Sequence, residues 1–382
     1  MFGRRITLFK LMGFEVRLDA SWIVLAFLVT WSLAVGYFPA RDPGLERADY
    51  WWMAAVSAFG LFGSIVAHEF AHSVVARRRG LPMKGITLFI FGGVAEMSGE
   101  PPNAETEFRM AIAGPLTSAV IGGVFYALYR AGVNSWPPAV AGVVHYLGWI
   151  NFTLAAFNMI PAFPLDGGRV LRSAVWHYQG DLTRATRIAA QFGQGFGMLL
   201  IGLGILSLFF GNFVTAIWWF ILGMFLRGAA QQSYQQMAVR SALAGEPVRR
   251  FMKTDPVTVP PNISVEDLID NYVYRYHHKM FPVVRNGNDL AGCVTTQAVS
   301  SIPREEWRQH SVQELMRPCS AENTISPDTD AAAALSKMSQ TGLSRLMVVD
   351  HNRLLAIVSL KDLLNFLTLK MEIEGSGGRR MA

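Results

Sequence analysis

Six apolar runs, each close to the length that crosses a lipid bilayer, crowd residues 1–230 of this 382-residue chain. About 20 apolar residues span a hydrocarbon core, where the backbone must satisfy its own hydrogen bonds, so such runs fold as helices. They fall near 20–38, 52–76, 107–130, 139–161, 190–210 and 213–230. Gly114-Pro115 and Pro137-Pro138 interrupt or start the third and fourth, and Gly211-Asn212 makes a tight turn between the last two. The first run follows Arg4, Arg5, Lys10 and Arg17 with no small-residue cleavage site behind it, which reads as a retained membrane helix.

Charge sets the orientation. Only 16% of the residues are charged, against about 25% in an ordinary soluble chain, and the deficit lies in residues 1–230. The net charge of +6 comes from Lys and Arg gathered at the ends of the apolar runs, which is a topology signal and not a nucleic-acid surface. With six crossings, the N-terminal segment, Arg77-Arg78-Arg79 with Lys84, and Arg169, Arg172, Arg184 and Arg187 share one face. By the positive-inside rule that face is cytoplasmic, and so are both termini of a multi-pass protein of the cell membrane. The two cysteines, Cys293 and Cys319, have no metal-ligand spacing.

From Pro247 the sequence repeats itself at an offset of 64 or 65 residues. Phe251-Met252-Lys253 echoes Leu315-Met316-Arg317, Phe281-Pro282-Val283-Val284 echoes Leu346-Met347-Val348-Val349, and Gly292-Cys293-Val294-Thr295 echoes Ala356-Ile357-Val358-Ser359. Each copy reads helix, strand, polar turn (Asn286-Gly287-Asn288; Asp350-His351-Asn352), strand, helix. A copy this small buries its sheet poorly alone, so the two are expected to pack as a pair. The expected fold is therefore a six-helix polytopic membrane domain over 1–230, a linker at 231–246, α/β repeats at 247–308 and 309–370, and a disordered tail at 371–382.

The second apolar run carries His68-Glu69-Phe70-Ala71-His72. Spacing of i and i+4 puts both imidazoles on one helix face, able to hold one metal ion, and Glu69 beside them can take a proton from an attacking water. Ionisable groups inside an apolar helix are costly unless they serve a function. A hydrolytic zinc normally has three protein ligands. Asp166, read as ending the fourth run at the same membrane depth as the histidines, is the best candidate for the third; its other reading is a helix cap or turn residue before Gly167-Gly168. A carboxylate would offset part of the zinc charge at low dielectric. Asn158 can donate to an oxyanion on the scissile carbonyl, or bond between helices.

His68-Glu69-x-x-His72 with Asn158-x-x-Pro161-x-x-Pro164-x-Asp166-Gly167 resembles the site-2 protease family of intramembrane metalloproteases. Ile86 through Met97, with Phe91-Gly92-Gly93-Val94-Ala95, resembles that family's membrane-dipping β-hairpin, and Ala113-Gly114-Pro115 its third-span motif. The resemblance implies one zinc held by His68, His72 and Asp166, Glu69 as base, and a hairpin around Gly92 and Gly93 that offers an edge strand to an unwound substrate helix. The expected substrate is a single-span membrane protein. No PDZ-like insertion lies between the spans.

The repeat resembles a pair of CBS domains, which implies an adenine nucleotide of the ATP or AMP type in the cleft between copies and a homodimer through these domains. The family's ribose pattern of Ser or Thr, two residues, then Asp is met by Ser359 and Asp362; the first copy has Thr295 but Ala298 where the acid would stand. A purely structural or dimerising pair is the other reading. For the whole chain the rivals are a CBS-regulated transporter or channel using the His/Glu/Asp set as an ion path, and a metal-binding scaffold without turnover. Six spans show no inverted half-length repeat, and a scaffold has no need of Glu69.

Overall fold

In the computed structural model, the described residues are 5–81, 83–89, 92–97, 100–285, 289–351 and 353–377. They form two compact units, Met1–Gln235 and Gln236–Ala382.

The first unit holds a small sheet and a helix bundle, whose last helix continues past Gln235 into residues of the second. Strands β1 (Arg5–Leu11) and β2 (Phe14–Asp19) make an antiparallel hairpin; β2 pairs in parallel with β3 (Met83–Phe89), and β3 pairs antiparallel with β4 (Gly92–Met97). The helices are α1 (Ser21–Arg41, with a π turn at Leu33–Tyr37), α2 (Arg47–Arg78), α3 (Ala104–Gly132), α4 (Pro138–Asn158), α5 (Asp166–Gln179), α6 (Leu182–Phe209) and α7 (Phe213–Leu243). All but α5 are long and apolar enough to cross a membrane.

Local chemistry fixes the helix ends. The Asn103 side chain accepts from Thr106 N at 2.8 Å at the start of α3, Asp181 accepts from Arg184 N at 3.0 Å at the start of α6, and Gly180 in the left-handed region closes α5. The bundle buries an apolar cluster around Phe38 and Met53, but it also places small and polar residues inside and large apolar ones outside. The buried face of α2 is Tyr50, Met53, Ala54, Ser57, Ser64, His68, His72, Ser73 and Ala76, while Phe59 is 78% exposed. Helices in lipid gain little by hiding Phe from the outside; they pack through small and polar residues instead. The sheet lies on α2, with Val16, Leu18, Ile86 and Leu88 against Phe62, Ile65, Val66 and Phe70.

Three sequence expectations change. The run 231–246 is no linker: α7 continues through Leu243. The fourth run does not reach Asp166, because α4 ends at Asn158 and a loop through Pro161 and Pro164 separates it from α5. The hairpin at 86–97 is joined by β1 and β2, which no transmembrane pattern announces; Phe91 lies outside the described residues.

In the second unit each repeat builds a sheet that the other completes. Strands β6 (Met280–Val284) and β7 (Leu290–Thr295) of the first copy take β8 (Arg317–Pro318) from the start of the second. Strands β10 (Arg345–Asp350) and β11 (Arg353–Ser359) of the second copy take β5 (Lys253–Thr254) from the start of the first, and add β9 (Thr324–Ile325). The exchange keeps the repeat register: Lys253 faces Ile357 and Arg317 faces Cys293. A helix over 265–276 packs on the first sheet; α8 (Ala331–Thr341) and α9 (Leu360–Gly377) belong to the second. Met280, Leu290 and Cys293 meet Met347 and Leu354 in a shared core. The expected tail is helical as far as Gly377. Asn286, Gly287, Asn288 and Asn352 of the expected turns, and residues 378–382, lie outside the described residues.

Candidate metal centre

One turn apart on the buried face of α2, His68 and His72 both aim Nε2 at the same point, 3.2 Å from each other. Their other ring nitrogens are held by α3: His72 Nδ1 donates to the Met110 carbonyl at 2.6 Å, and His68 Nδ1 is 2.9 Å from Ser118 Oγ. A carbonyl only accepts, so His72 carries its proton on Nδ1 and presents a lone pair at Nε2.

Asp166 arrives from α5, of which it is the first residue, and not from the end of α4. Its Oδ2 lies 3.1 Å from His68 Nε2 and 3.2 Å from His72 Nε2. Gly167 and Gly168 permit the approach, since β-carbons there would stand 2.3 Å from the Met159 carbonyl oxygen and 2.4 Å from Phe163 N, in the loop folded over the start of α5. The Asp166 side chain keeps 13% exposure where the histidines have 5% and 10%.

The three donors fit a zinc ion. Ligand atoms about 2.0–2.1 Å from zinc stand roughly 3.3 Å apart along the edges of a tetrahedron, and the three separations here are 3.1, 3.2 and 3.2 Å. With His68, like His72, protonated at Nδ1, three acceptor atoms would meet here, a poor arrangement unless a cation lies among them. Of the described residues, these three make up the His/Cys/Asp/Glu group able to hold a metal.

Two close approaches shape the surroundings. At Gly114 of α3 a β-carbon would stand 2.2 Å from His72 Nε2 and 2.5 Å from His68 Nε2, so a side chain there would fill the ligand space. At Gly93 of β4 it would stand 2.4 Å from Glu69 Cγ, which places the strand directly on that carboxylate's side chain. Gly92 pairs with Phe89 at the turn of the hairpin. The sequence pattern held Gly114 in a motif but gave no reason for it; Met110 and Ser118 went unnoticed, and a backbone carbonyl has no sequence signature.

The remaining candidates lie elsewhere or are already bonded. Asn158 Nδ2 donates to the Leu154 carbonyl of its own helix at 3.0 Å. In the second unit Thr295 Oγ1 accepts from Ala298 N at 3.2 Å, an N-cap. Ser359 and Asp362 bond each other across the first turn of α9: Asp362 N donates to Ser359 Oγ and Ser359 N to Asp362 Oδ2, both at 3.2 Å. Lys253 Nζ is 3.2 Å from Asp362 Oδ1.

The sequence matches Peptidase family M50 over residues 56–135 and 133–200, and the CBS domain over 248–302 and 312–369. Rip3 of Mycobacterium tuberculosis is 34% identical over 94% of this chain and 91% of its own length. Zinc metalloprotease MJ0392 of Methanocaldococcus jannaschii is 32% identical over 97% of this chain and 98% of its own. Among solved structures, the site-2 protease from the same archaeon shares 31% identity at a TM-score of 0.44, covering 60% of this chain and 95% of that one.

Proposed function

The chain belongs to the M50 family of site-2 zinc metalloproteases and carries a CBS pair, and from that premise we propose that it is an endopeptidase cutting membrane-spanning segments with His68, His72 and Asp166 as zinc ligands. The observation that carries the assignment of ligands is the 3.1–3.2 Å triangle of donor atoms from α2 and α5.

Bound zinc supplies Lewis acidity, polarising the scissile carbonyl and making water a stronger acid. Everything else falls to the chain. Glu69, beside the triad on α2, takes a proton from the attacking water as the new C–O bond forms. It then gives that proton to the amine nitrogen as the C–N bond breaks. A helical substrate hides its carbonyls in its own hydrogen bonds and must be extended first. β4 is the terminal strand of its sheet and lies on Glu69 at Gly93, so an extended substrate pairing with its outer edge would run past the base. Asn158 spends one amide hydrogen on the Leu154 carbonyl and keeps a second with which it would serve an oxyanion. The same reading puts both termini in the cytoplasm, with single-span proteins released to that side.

An adenine nucleotide at the CBS pair, and a homodimer through it, complete the proposal. Its support is Ser359-x-x-Asp362 at the start of α9, with Lys253 beside the acid. Ala298 removes the matching acid from the first copy, so one intact ribose site is expected.

The test is metal content of the purified, detergent-solubilised chain beside cleavage of a membrane-helix reporter. One zinc per chain, lost together with cleavage in Asp166→Ala, is the expected result. Zinc retained at full affinity in that variant would remove Asp166 from the ligand set.

A further inference from the structure

Six residues after Asp166, α5 carries Arg172, whose side chain turns back into the bundle. Its Nε donates to Glu107 Oε1 of α3 at 2.6 Å, and its Nη2 contacts the same oxygen. Nη2 also lies 3.5 Å from Glu100 Oε2, in the segment that follows β4. The guanidinium sits 5.3 Å from the centroid of Phe163, in the loop leading to Asp166. The side chains of Arg172 and Glu107 are 7% and 1% exposed. Glu107 Oε2 is buried with no hydrogen-bond partner among the described residues, so Arg172 supplies the carboxylate's compensation.

A buried ion pair rarely stabilises a fold more than apolar side chains of equal volume would, so stability alone does not account for this one. The stripe it belongs to points to a positional role. Glu107, Met110, Gly114 and Ser118 follow one another on α3 at spacings of three, four and four, which is one helix face. Along that face Ser118 meets His68, the Met110 carbonyl meets His72, Gly114 leaves room for both rings, and Glu107 grips Arg172. Asp166 meets the two imidazoles, while its helix begins at Leu165 with no side-chain cap. The placement of its carboxylate is therefore set by how α5 docks.

We infer that the buried Glu107–Arg172 pair is a positioning device that holds Asp166 in ligand register with His68 and His72, so that the single helix α3 sets all three ligands. The inference rests on the reading of those three residues as the zinc site. Neither Glu107 nor Arg172 belongs to the group able to hold the metal; both act through α5.

The experiment is a double-mutant cycle on zinc affinity, measured on the full chain in detergent by competition with chelators of graded strength. Arg172→Gln is expected to weaken zinc binding about 10- to 100-fold, the usual effect of losing a group that orients a ligand. In an Asp166→Ala background the same change is expected to add less than about threefold, because the ligand it positions is gone. Equal losses in both backgrounds, or no loss in either, would overturn the inference. If Asp166→Ala alone leaves zinc affinity unchanged, the three-ligand reading fails and the inference falls with it, an outcome distinct from equal losses in both backgrounds. Where Arg172→Gln does not fold, Arg172→Lys keeps the charge while offering one nitrogen in place of the fork, and the cycle runs with it, a smaller loss that again vanishes without Asp166.

Discussion

The two units of this chain differ in what they bury beside their apolar cores. In Gln236–Ala382 the interior is made of large apolar side chains, with Phe281 at 1%, Val348 at 0% and Met347 at 0% exposure. In Met1–Gln235 the helices turn Phe59, Phe209 and Phe213 outward and bury His68, His72, Asn151, Glu107, Arg172 and Ser118. Water drives the first arrangement, since apolar area removed from it lowers the free energy. Lipid gives no such reward, and a polar side chain facing it would lie unpaired, so polar groups turn inward and find one another. The membrane unit thus gathers the reactive groups of the molecule as a consequence of its solvent. The interior of the second unit serves stability instead.

The sharpest break between the units is chemical. Glu69→Gln keeps the shape of the side chain and removes its ability to take a proton. Cleavage is expected to fall by about 10²- to 10⁴-fold while zinc content stays at the wild-type level. Retention of cleavage in this variant would move the base elsewhere; loss of zinc with it would make Glu69 part of the ligand arrangement. The ion-path alternative finds no support in relatives such as the zinc metalloprotease MJ0392, matched over 97% of the chain.

Next in size is a pair of identical substitutions placed in the two solvents. Phe281→Ala, in the core of the first repeat with Val259, Val283 and Val294, is expected to cost about 3–5 kcal/mol of the stability of that unit. Hydrogen exchange across β6 and β7 would report it. Phe59→Ala, at a position 78% exposed on α2, is expected to change stability by no more than about 0.5 kcal/mol. Comparable costs at both positions would mean that Phe59 is covered by something other than lipid, and would undo the contrast drawn above.

What could be read in the sequence follows the same division. The six spans and the two histidines were legible because length and i, i+4 spacing are local signals. Asp166 was legible as a residue but not as the start of a separate helix, since two prolines in a polar-poor stretch mark a break without saying where the chain resumes. The β1–β2 hairpin does alternate, with Val16 and Leu18 facing inward, but its partner β3 lies some way off along the chain, where Val16 meets Ile86. The exchanged strands β5 and β8 are two residues each, too short for any period. Least legible was α3. Its contribution is a carbonyl, a missing side chain, a hydroxyl and half of an ion pair, none of which looks like metal chemistry until the histidines are placed against it.

The smallest expected effect tests that last point directly. Ser118 is fully buried between helices, and its hydroxyl is 2.9 Å from His68 Nδ1. Were it only a small residue easing helix contact, Ser118→Ala would change little, for alanine packs as closely. If the hydroxyl fixes which nitrogen of His68 keeps the proton, its loss frees the ring to rotate and weakens zinc binding by about 10- to 100-fold, with the fold intact. Ser118→Thr keeps the hydroxyl and should recover most of the affinity wherever the added methyl is accommodated. A zinc affinity unchanged in Ser118→Ala would leave His68 oriented by α2 alone, and the polar interior of this unit would then matter to its packing more than to its metal.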